Sequence, residues 1–196
     1  TATCIIQGAF GRSGQKCSAT SAVFVHEDVW PKLRDELAKQ TKELAVGNTL
    51  ERNTYMGPVI NEKAYQKVTG AIERAKKDAS CKILVGGGAS KDKGYFIDPT
   101  FVEVQNEKHE LLTEEFFGPL CAVKTYKNLA DVERMIEQHD YRLTGAVISR
   151  DENFLEKAVP VLSQLAGNFY VNRKTTGAVV NQQPFGGDGA SGTNAK

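Results

Sequence analysis

The chain has 196 residues, of which 40% are hydrophobic and 25% are charged, and its formal net charge is +1. This length suits one substantial core, and the near-neutral charge argues against an electrostatic binder of nucleic acid or of a membrane surface. The sequence has no apolar run near the roughly 18 residues that a membrane helix needs, and its first residues show no signal peptide.

The first part of the chain predicts a helix, a strand and two further helices. Residues 3–10 favour a helix that leads into a glycine-rich turn, and residues 20–26 are β-branched and aromatic, as in a short strand. Asp28 is predicted to cap a helix that ends at Gly47-Asn48. Asn61 is predicted to cap a second amphipathic helix.

The middle of the chain predicts short strands. Residues 82–85 form one candidate, which three glycines close, and residues 95–97 and 100–102 form two more around Pro99. Because proline cannot donate to a strand ladder, these two pieces are predicted to lie at the edge of a sheet.

The last part alternates strands with helices. Strands are predicted at residues 120–126, 144–148 and 167–171, with helices capped by Asn128 and Asp151 between them. Strands that are apolar on both faces and alternate with helices indicate an α/β layered fold, in which helices cover a largely parallel sheet.

The cysteines and histidines are dispersed. They stand at Cys4, Cys17, Cys81, Cys121, His26, His109 and His139. Because no CxxC or other short spacing recurs, we expect neither a disulfide framework nor a metal site, and a reducing compartment such as the cytoplasm is favoured.

Cys17 is the candidate nucleophile. It follows a turn rich in small residues, 9–14, and the neighbouring cations Lys16 and Arg12 would favour its thiolate form. Backbone amides of the turn could stabilise an oxyanion formed after attack on a carbonyl. The alternative is an inert thiol, which is the interpretation for the other three cysteines.

Five motifs, in the same order, resemble segments of the aldehyde dehydrogenase family. They are Phe10-Gly11-x-x-Gly14-Gln15-Lys16-Cys17-Ser18-Ala19, Glu114-Glu115-Phe116-Phe117-Gly118-Pro119, Leu143-Thr144-Gly145-Ala146-Val147, Gly167-Asn168-Phe169-Tyr170-Val171-Asn172, and Gln183-Pro184-Phe185-Gly186-Gly187 with Ser191-Gly192-Thr193. Together they cover nearly the whole chain, and they are most similar to the branch of Δ1-pyrroline-5-carboxylate, or glutamate-semialdehyde, dehydrogenases.

The resemblance implies a reaction, namely the oxidation of L-glutamate γ-semialdehyde to L-glutamate with NAD, in proline catabolism. Cys17 would attack the aldehyde carbon, giving a thiohemiacetal and then a thioester that water hydrolyses. Glu115 would hydrogen-bond the nicotinamide ribose, and Phe117 would pack nearby to position the ring.

The resemblance also implies a substrate site. Ser18 and the backbone N–H groups of Gly177 and Ala178 would bind the substrate carboxylate, and Phe185 would pack against its aliphatic part. Other interpretations stay open, since Ser18 could only orient its loop, Gly177 could only allow a turn, and Phe185 could be a core residue.

Two residues depart from the family pattern, Arg142 where glycine is frequent and Asp188 where basic or apolar residues are common. The family's dinucleotide-binding domain, general-base glutamate and oxyanion asparagine lie upstream of the cysteine. Residues 1–196 are therefore expected to be the catalytic domain of a longer polypeptide and to be inactive alone. The parent is expected to form a homo-oligomer, to lie in the mitochondrial matrix if eukaryotic, and to be either monofunctional or fused to proline dehydrogenase.

The sequence leaves two alternative functions open. One is another aldehyde dehydrogenase, of the semialdehyde or betaine-aldehyde type. The other is a non-catalytic scaffold or thiol-sensing module that has kept the fold.

Overall fold

Helices and strands alternate along most of the computed structural model, which describes residues 1–179 and 181–192. The helices are α1 (Ala2–Phe10), α2 (Trp30–Lys42), α3 (Glu62–Lys77), α4 (Glu110–Thr113), α5 (Leu129–Glu137) and α6 (Glu152–Leu162). The strands are β1 (Ala22–His26), β2 (Cys81–Val85), β3 (Ala89–Ser90), β4 (Phe96–Ile97), β5 (Thr100–Val104), β6 (Leu120–Tyr126), β7 (Tyr141–Arg142), β8 (Thr144–Val147), β9 (Asn168–Val171) and β10 (Asp188–Gly189). Within the described ranges, no helix combines the length and the apolar character needed to cross a membrane.

The main sheet has four strands in the order β1-β6-β5-β2. β1, β6 and β5 run parallel, whereas β2 pairs antiparallel with β5 at the edge. A second parallel pair, β8 with β9, lies outside this sheet, and β3–β4 and β7–β10 are short antiparallel ribbons. The prediction of an α/β fold with a largely parallel sheet is confirmed.

Helices cover both faces of the main sheet. Phe101 and Val102 follow each other on β5 and are both fully buried, because successive strand residues point to opposite faces. Phe101 packs edge-on against Phe10 of α1, with ring centroids 4.8 Å apart, in the cluster that α1 and α2 share. Val102 belongs to the cluster formed with α3 and α4. A third, smaller cluster joins α5, α6 and β8.

Three of the four predicted helix caps are confirmed. The Asn61 side chain accepts a hydrogen bond from Ala64 N at 2.9 Å, and the Asp151 side chain accepts one from Phe154 N at 3.2 Å. Asn128 forms a capping box at the start of α5.

The predicted bounds of α2 are wrong at both ends. The helix begins at Trp30, with Val29 rather than Asp28 as its N-cap residue and Pro31 in its first turn, and it ends at Lys42 before Gly47-Asn48. Pro31 favours this start because its fixed φ suits the first turn of a helix. Trp30 is buried, and its indole Nε1 donates to Glu103 Oε1 of β5 at 2.8 Å.

The predicted edge position is also wrong for β5, which lies between β6 and β2. Pro99 precedes the strand rather than interrupting it, so no ladder N–H is lost.

Candidate active site

The turn that leads to Cys17 has an unusual backbone. Arg12, Ser13 and Gly14 follow one another with φ of 54°, 58° and 68°, in the left-handed region. Residues with a side chain rarely adopt this conformation, which costs them roughly 1–2 kcal/mol each. The surrounding structure must therefore hold the turn in place.

The loop before α3 provides two of the contacts that hold this turn. The buried Ser13 hydroxyl donates to the Gly57 carbonyl at 2.8 Å. Gln15 Oε1 accepts from the backbone N–H of Ile60 at 2.9 Å. Both side chains belong to the turn and both partners are backbone groups, so the cysteine segment is fixed on one side by residues 57–60.

The other side of the turn abuts the glutamate–phenylalanine motif. A Cβ at Gly14 would overlap the carbonyl oxygen of Gly118, so only glycine fits there. Within the motif, Phe116 is buried, whereas Phe117 has φ of 55° and a 44% exposed side chain. Lys67 of α3 donates to the Glu115 carbonyl and so holds the motif from outside.

Cys17, Glu115 and Phe117 line one cleft of about 340 Å³. The structure therefore brings together the predicted nucleophile and both predicted cofactor residues. Cys17 itself is exposed. Other residues that line the cleft are Lys16, Glu114, His139, Tyr141, Ala190 and Ser191.

Ser18 lies beside the cleft rather than in its lining, with 8% of its surface exposed. Its carbonyl accepts the Thr175 hydroxyl at 2.8 Å, and Thr175 Oγ1 lies 2.9 Å from Thr20 Oγ1. Because the hydroxyl of Thr175 has one proton and donates it to the Ser18 carbonyl, the Thr20 hydroxyl is the donor in the bond between the two threonines. These bonds join the cysteine segment to the segment that contains Gly177, Ala178 and Phe185, which we call the predicted substrate loop.

Gly177, Ala178 and Phe185 are exposed, and they also lie outside the cleft lining. Gly177 lies against the Tyr170 ring, where a Cβ would come within 3.0 Å of Cε1. Tyr170 Oη accepts from Gln183 Nε2 at 3.3 Å. Burial raises the pKa of the Tyr170 phenol, and hydrogen bonds from the Gly177 amide and Gln183 oppose that shift.

The family model described as "Aldehyde dehydrogenase family" matches residues 1–196. The chain belongs to this family.

Individual relatives point to one branch of the aldehyde dehydrogenases. The chain is 43% identical to the mitochondrial Delta-1-pyrroline-5-carboxylate dehydrogenase of Emericella nidulans, over 97% of this chain and 34% of that protein. The crystal structure of the Delta-pyrroline-5-carboxylate dehydrogenase from Mycobacterium tuberculosis is 41% identical, with a TM-score of 0.90 over 98% of this chain and 36% of its own. The enzyme from Thermus, solved with bound NAD, is 37% identical, with a TM-score of 0.89 over 100% of this chain and 37% of its own. The chain thus spans about a third of the length of the relatives it matches.

The two departures from the family pattern are partners in this structure. Arg142 Nη2 lies 2.7 Å from Asp188 Oδ2, and Arg142 Nε donates to the same oxygen at 2.9 Å. The two residues also face each other in the β7–β10 register. The positive charge of Arg142 is therefore paired with the negative charge of Asp188. Thr193, in the last family motif, lies outside the described residues.

Sequence reasoning missed Thr175, Tyr170 and Asn168, which organise the predicted substrate loop. Asn168 Nδ2 donates to the Pro184 carbonyl at 2.8 Å, and its Oδ1 accepts from Gly186 N at 3.2 Å. Asn168 and Tyr170 stand in a recognised motif, so their polar groups were a usable signal. Thr175 offered none, because its partners lie more than 150 residues away.

His139 also lines the cleft, although the sequence predicted no role for it. Burial and the charge of Arg142 lower the pKa of His139, while Asp140 opposes the shift. The side chain is therefore a neutral imidazole near neutral pH.

Among the described residues, one group has the composition of a metal site, namely Asp78, Cys81 and His109. His109 Nε2 lies 3.4 Å from Cys81 Sγ and 3.5 Å from Asp78 Oδ2. However, His109 Nδ1 accepts from Leu111 N at 3.1 Å, so the proton of the neutral ring is on Nε2. A metal-bound histidine instead carries its proton on the nitrogen away from the metal. The arrangement favours a hydrogen-bonded cap of α4 over a metal site.

Proposed function

We propose that the protein containing this chain is an NAD-dependent dehydrogenase that oxidises L-glutamate γ-semialdehyde to L-glutamate, a step of proline catabolism. The observation that carries the proposal is the cleft in which Cys17 lies with Glu115 and Phe117. Similarity to Delta-1-pyrroline-5-carboxylate dehydrogenases over 97% of the chain supports the choice of substrate.

Cys17 is the nucleophile in this proposal. Its thiolate adds to the aldehyde carbon, and the oxygen becomes the oxyanion of a thiohemiacetal, which the Cys17 backbone N–H helps to stabilise. Loss of hydride from that carbon leaves a thioester. Attack by water then releases the carboxylate and restores the thiol. An exposed thiol in a cleft suits this role, because the aldehyde must reach it.

NAD, when bound, supplies the acceptor for the hydride. Glu115 would hydrogen-bond the nicotinamide ribose, and Phe117 would help to position the ring. Both residues fit such a group, because they are exposed and share the cleft with Cys17. The Lys67 bond to the Glu115 carbonyl helps to hold this contact surface, including the left-handed backbone of Phe117, in one conformation.

Recognition of the substrate carboxylate is assigned to Ser18 and to the amides of Gly177 and Ala178, with Phe185 against the aliphatic part. The link from Thr175 to the Ser18 carbonyl supports this assignment, since it joins the Ser18 segment to the segment that continues into Gly177 and Ala178. Gly177 is only two residues beyond Thr175 in the sequence.

The test is activity of the complete gene product with glutamate semialdehyde and NAD, measured as NADH formation. Cys17→Ala is expected to lower kcat by at least about 10³-fold, because the covalent step is lost. Cys4→Ala, at a half-buried cysteine of α1, is the matched control and is expected to leave the rate unchanged. Retained activity in Cys17→Ala would remove the residue from its role.

The alternative functions give different results. If succinate semialdehyde or betaine aldehyde has the higher kcat/KM, the protein is another aldehyde dehydrogenase. If no aldehyde is oxidised and Cys17 reacts with iodoacetamide no faster than free cysteine, the protein is a scaffold. We further propose that the parent is a homo-oligomer without nucleic-acid or membrane partners, in the cytoplasm or, if eukaryotic, in the mitochondrial matrix. The mitochondrial name of the Emericella nidulans relative supports the latter location.

A further inference from the structure

One wall of the Cys17 cleft comes from the end of the described chain. Ala190 and Ser191 line the cleft together with Tyr141. We call residues 188–191 the wall segment. Its position therefore helps to set the space that is open beside Cys17.

Few backbone contacts hold the wall segment. β10 pairs with β7 over only two residues, Asp188 with Arg142 and Gly189 with Tyr141. The Ala190 N–H adds one bond to the Asp140 carbonyl, at 2.8 Å. A two-stranded ribbon of this length is not stable alone, so side-chain contacts must contribute.

The ion pair between Arg142 and Asp188 is that contribution. Two guanidinium nitrogens lie 2.7 and 2.9 Å from the same carboxylate oxygen. The Arg142 side chain is only 21% exposed, against 44% for Asp188. Restricted exposure of Arg142 limits screening by water and salt at its end of the pair, whereas the Asp188 carboxylate is open to solvent.

Arg142 is itself anchored on its other side. Its carbonyl accepts from Gly167 N at 3.1 Å, directly before β9. The backbone at residue 142 is thus tied to the β8–β9 pair, while its side chain reaches the wall segment. The charge of Arg142 is therefore presented from a fixed point.

We propose that Arg142 is a positioning residue, which through Asp188 holds the wall segment against the cleft and limits the size of the group that reaches Cys17. The positioning of the wall segment by Arg142 rests on these contacts alone. The effect of that positioning on aldehyde selection rests on the proposed function.

The test exchanges the two charges. Arg142→Asp and Asp188→Arg are each expected to speed hydrogen exchange at the Ala190 amide by about two- to fivefold, the range for loss of a partly screened ion pair. The double variant, with the charges swapped, is expected to restore the wild-type rate. Arg74→Asp breaks the Arg74–Glu110 pair, which lies outside the cleft, and is the matched control with no change expected at Ala190.

A second readout reports on the cleft itself. Cys17 alkylation, followed by peptide mass spectrometry, is measured with small iodoacetamide and with bulky pyrene maleimide. Each single variant is expected to raise the bulky-to-small rate ratio by about two- to fivefold, and the swapped pair is expected to lower it again. Neither measurement needs aldehyde or NAD, so this proposal can fail while the proposed function stands, and the reverse.

Two further measurements cover the case in which a charge reversal prevents folding. Asp188→Asn keeps the shape of the side chain, and about 1 M NaCl screens the pair in the unaltered protein. Both are expected to speed exchange at Ala190 in the same direction. Unchanged exchange in Asp188→Asn, or a swapped pair that behaves like the single variants, would overturn the proposal.

In the complete gene product, Asp188→Asn is expected to shift kcat/KM about two- to fivefold towards a longer aldehyde relative to glutamate semialdehyde. A merely structural pair would lower both values equally, which would overturn the selection role.

Discussion

The two sides of the Cys17 cleft are built differently. The sheet side, residues 1–126, contributes Cys17, Glu115 and Phe117, and it is held by direct backbone contact between Gly14 and Gly118 above a buried core. The loop side, residues 141–192, contains the β8–β9 pair and a close backbone approach of Gly167 to Gly186, and side-chain hydrogen bonds and one ion pair tie its last segment to the rest of the structure.

The contacts on the two sides of the cleft respond differently to substitution. On the sheet side, the backbone contact of Gly14 with Gly118, close to the predicted nucleophile, leaves no room for an added atom. On the loop side, the ion pair makes Arg142 and Asp188 depend on each other, so a change of charge at one requires the opposite change at the other. We therefore expect a substitution at Gly14 to disturb the cysteine segment, and a substitution at Arg142 or Asp188 to act on the wall segment.

The largest expected effect tests the sheet side. Gly14→Ala should lower the free energy of unfolding by about 2–4 kcal/mol, because the residue has positive φ and its Cβ would overlap the Gly118 carbonyl. Urea unfolding followed by circular dichroism measures this loss.

Gly11→Ala is the matched control in the same turn. A Cβ at Gly11 has no atom within 4 Å, and its φ of −53° suits any residue. Its unfolding free energy should change by less than about 1 kcal/mol, if anything upwards. Equal losses in the two variants would show that contact with Gly118 is not what fixes the sheet side.

A smaller effect is expected where the two sides meet. Thr175→Val removes the hydroxyl that bridges the Ser18 carbonyl and Thr20, which should cost about 1–2 kcal/mol because two polar groups lose their partner. Thr175→Ser keeps the hydroxyl and should lose much less. Thermal unfolding of the two variants measures the difference, and identical losses would mean that the methyl group, not the hydroxyl, matters.

The smallest effect concerns pH at His139, which lines the cleft just before the loop side begins. The pKa of His139 is lowered in the fold, chiefly by burial, so the unfolded chain takes up a proton first as the pH falls. Stability from this group is therefore complete above its ordinary pKa of 6.5 and is lost as the pH falls below that value.

His139→Gln should flatten the decline in the urea midpoint between about pH 7.5 and about pH 5.5. His26→Gln is the control at a histidine outside this cleft. A decline of unchanged slope in His139→Gln would show that burial of this imidazole does not affect stability.

Much of the sheet side was predictable from sequence. The capping residue Asn61 and the spacing of apolar residues after it predicted α3. The family motifs indicated Cys17, Glu115 and Phe117, which line one cleft. Those signals are local, or they lie within one short segment. The start of α2 was missed because burial of Trp30 and the fixed φ of Pro31 outweighed the capping propensity of Asp28.

The links of the loop side could not be read in the same way. The bond between Thr175 and Ser18 joins positions 157 residues apart, and the pair of Arg142 and Asp188 spans 46. A threonine or an arginine carries no sign of its distant partner, and only the fold brings the two together. The roles of Cys17, Glu115 and Phe117 stay predictions, as do those of Ser18, Gly177, Ala178 and Phe185.

The fluorescence of Trp30 reports on the sheet side separately from the loop side. Trp30 is the single tryptophan of the sequence, it is buried, and its indole is bonded to Glu103 of β5. Its fluorescence therefore originates wholly within the sheet side. Emission will change when the sheet opens and will stay constant when only the wall segment loosens, so one native chromophore distinguishes global unfolding from a local opening beside Cys17.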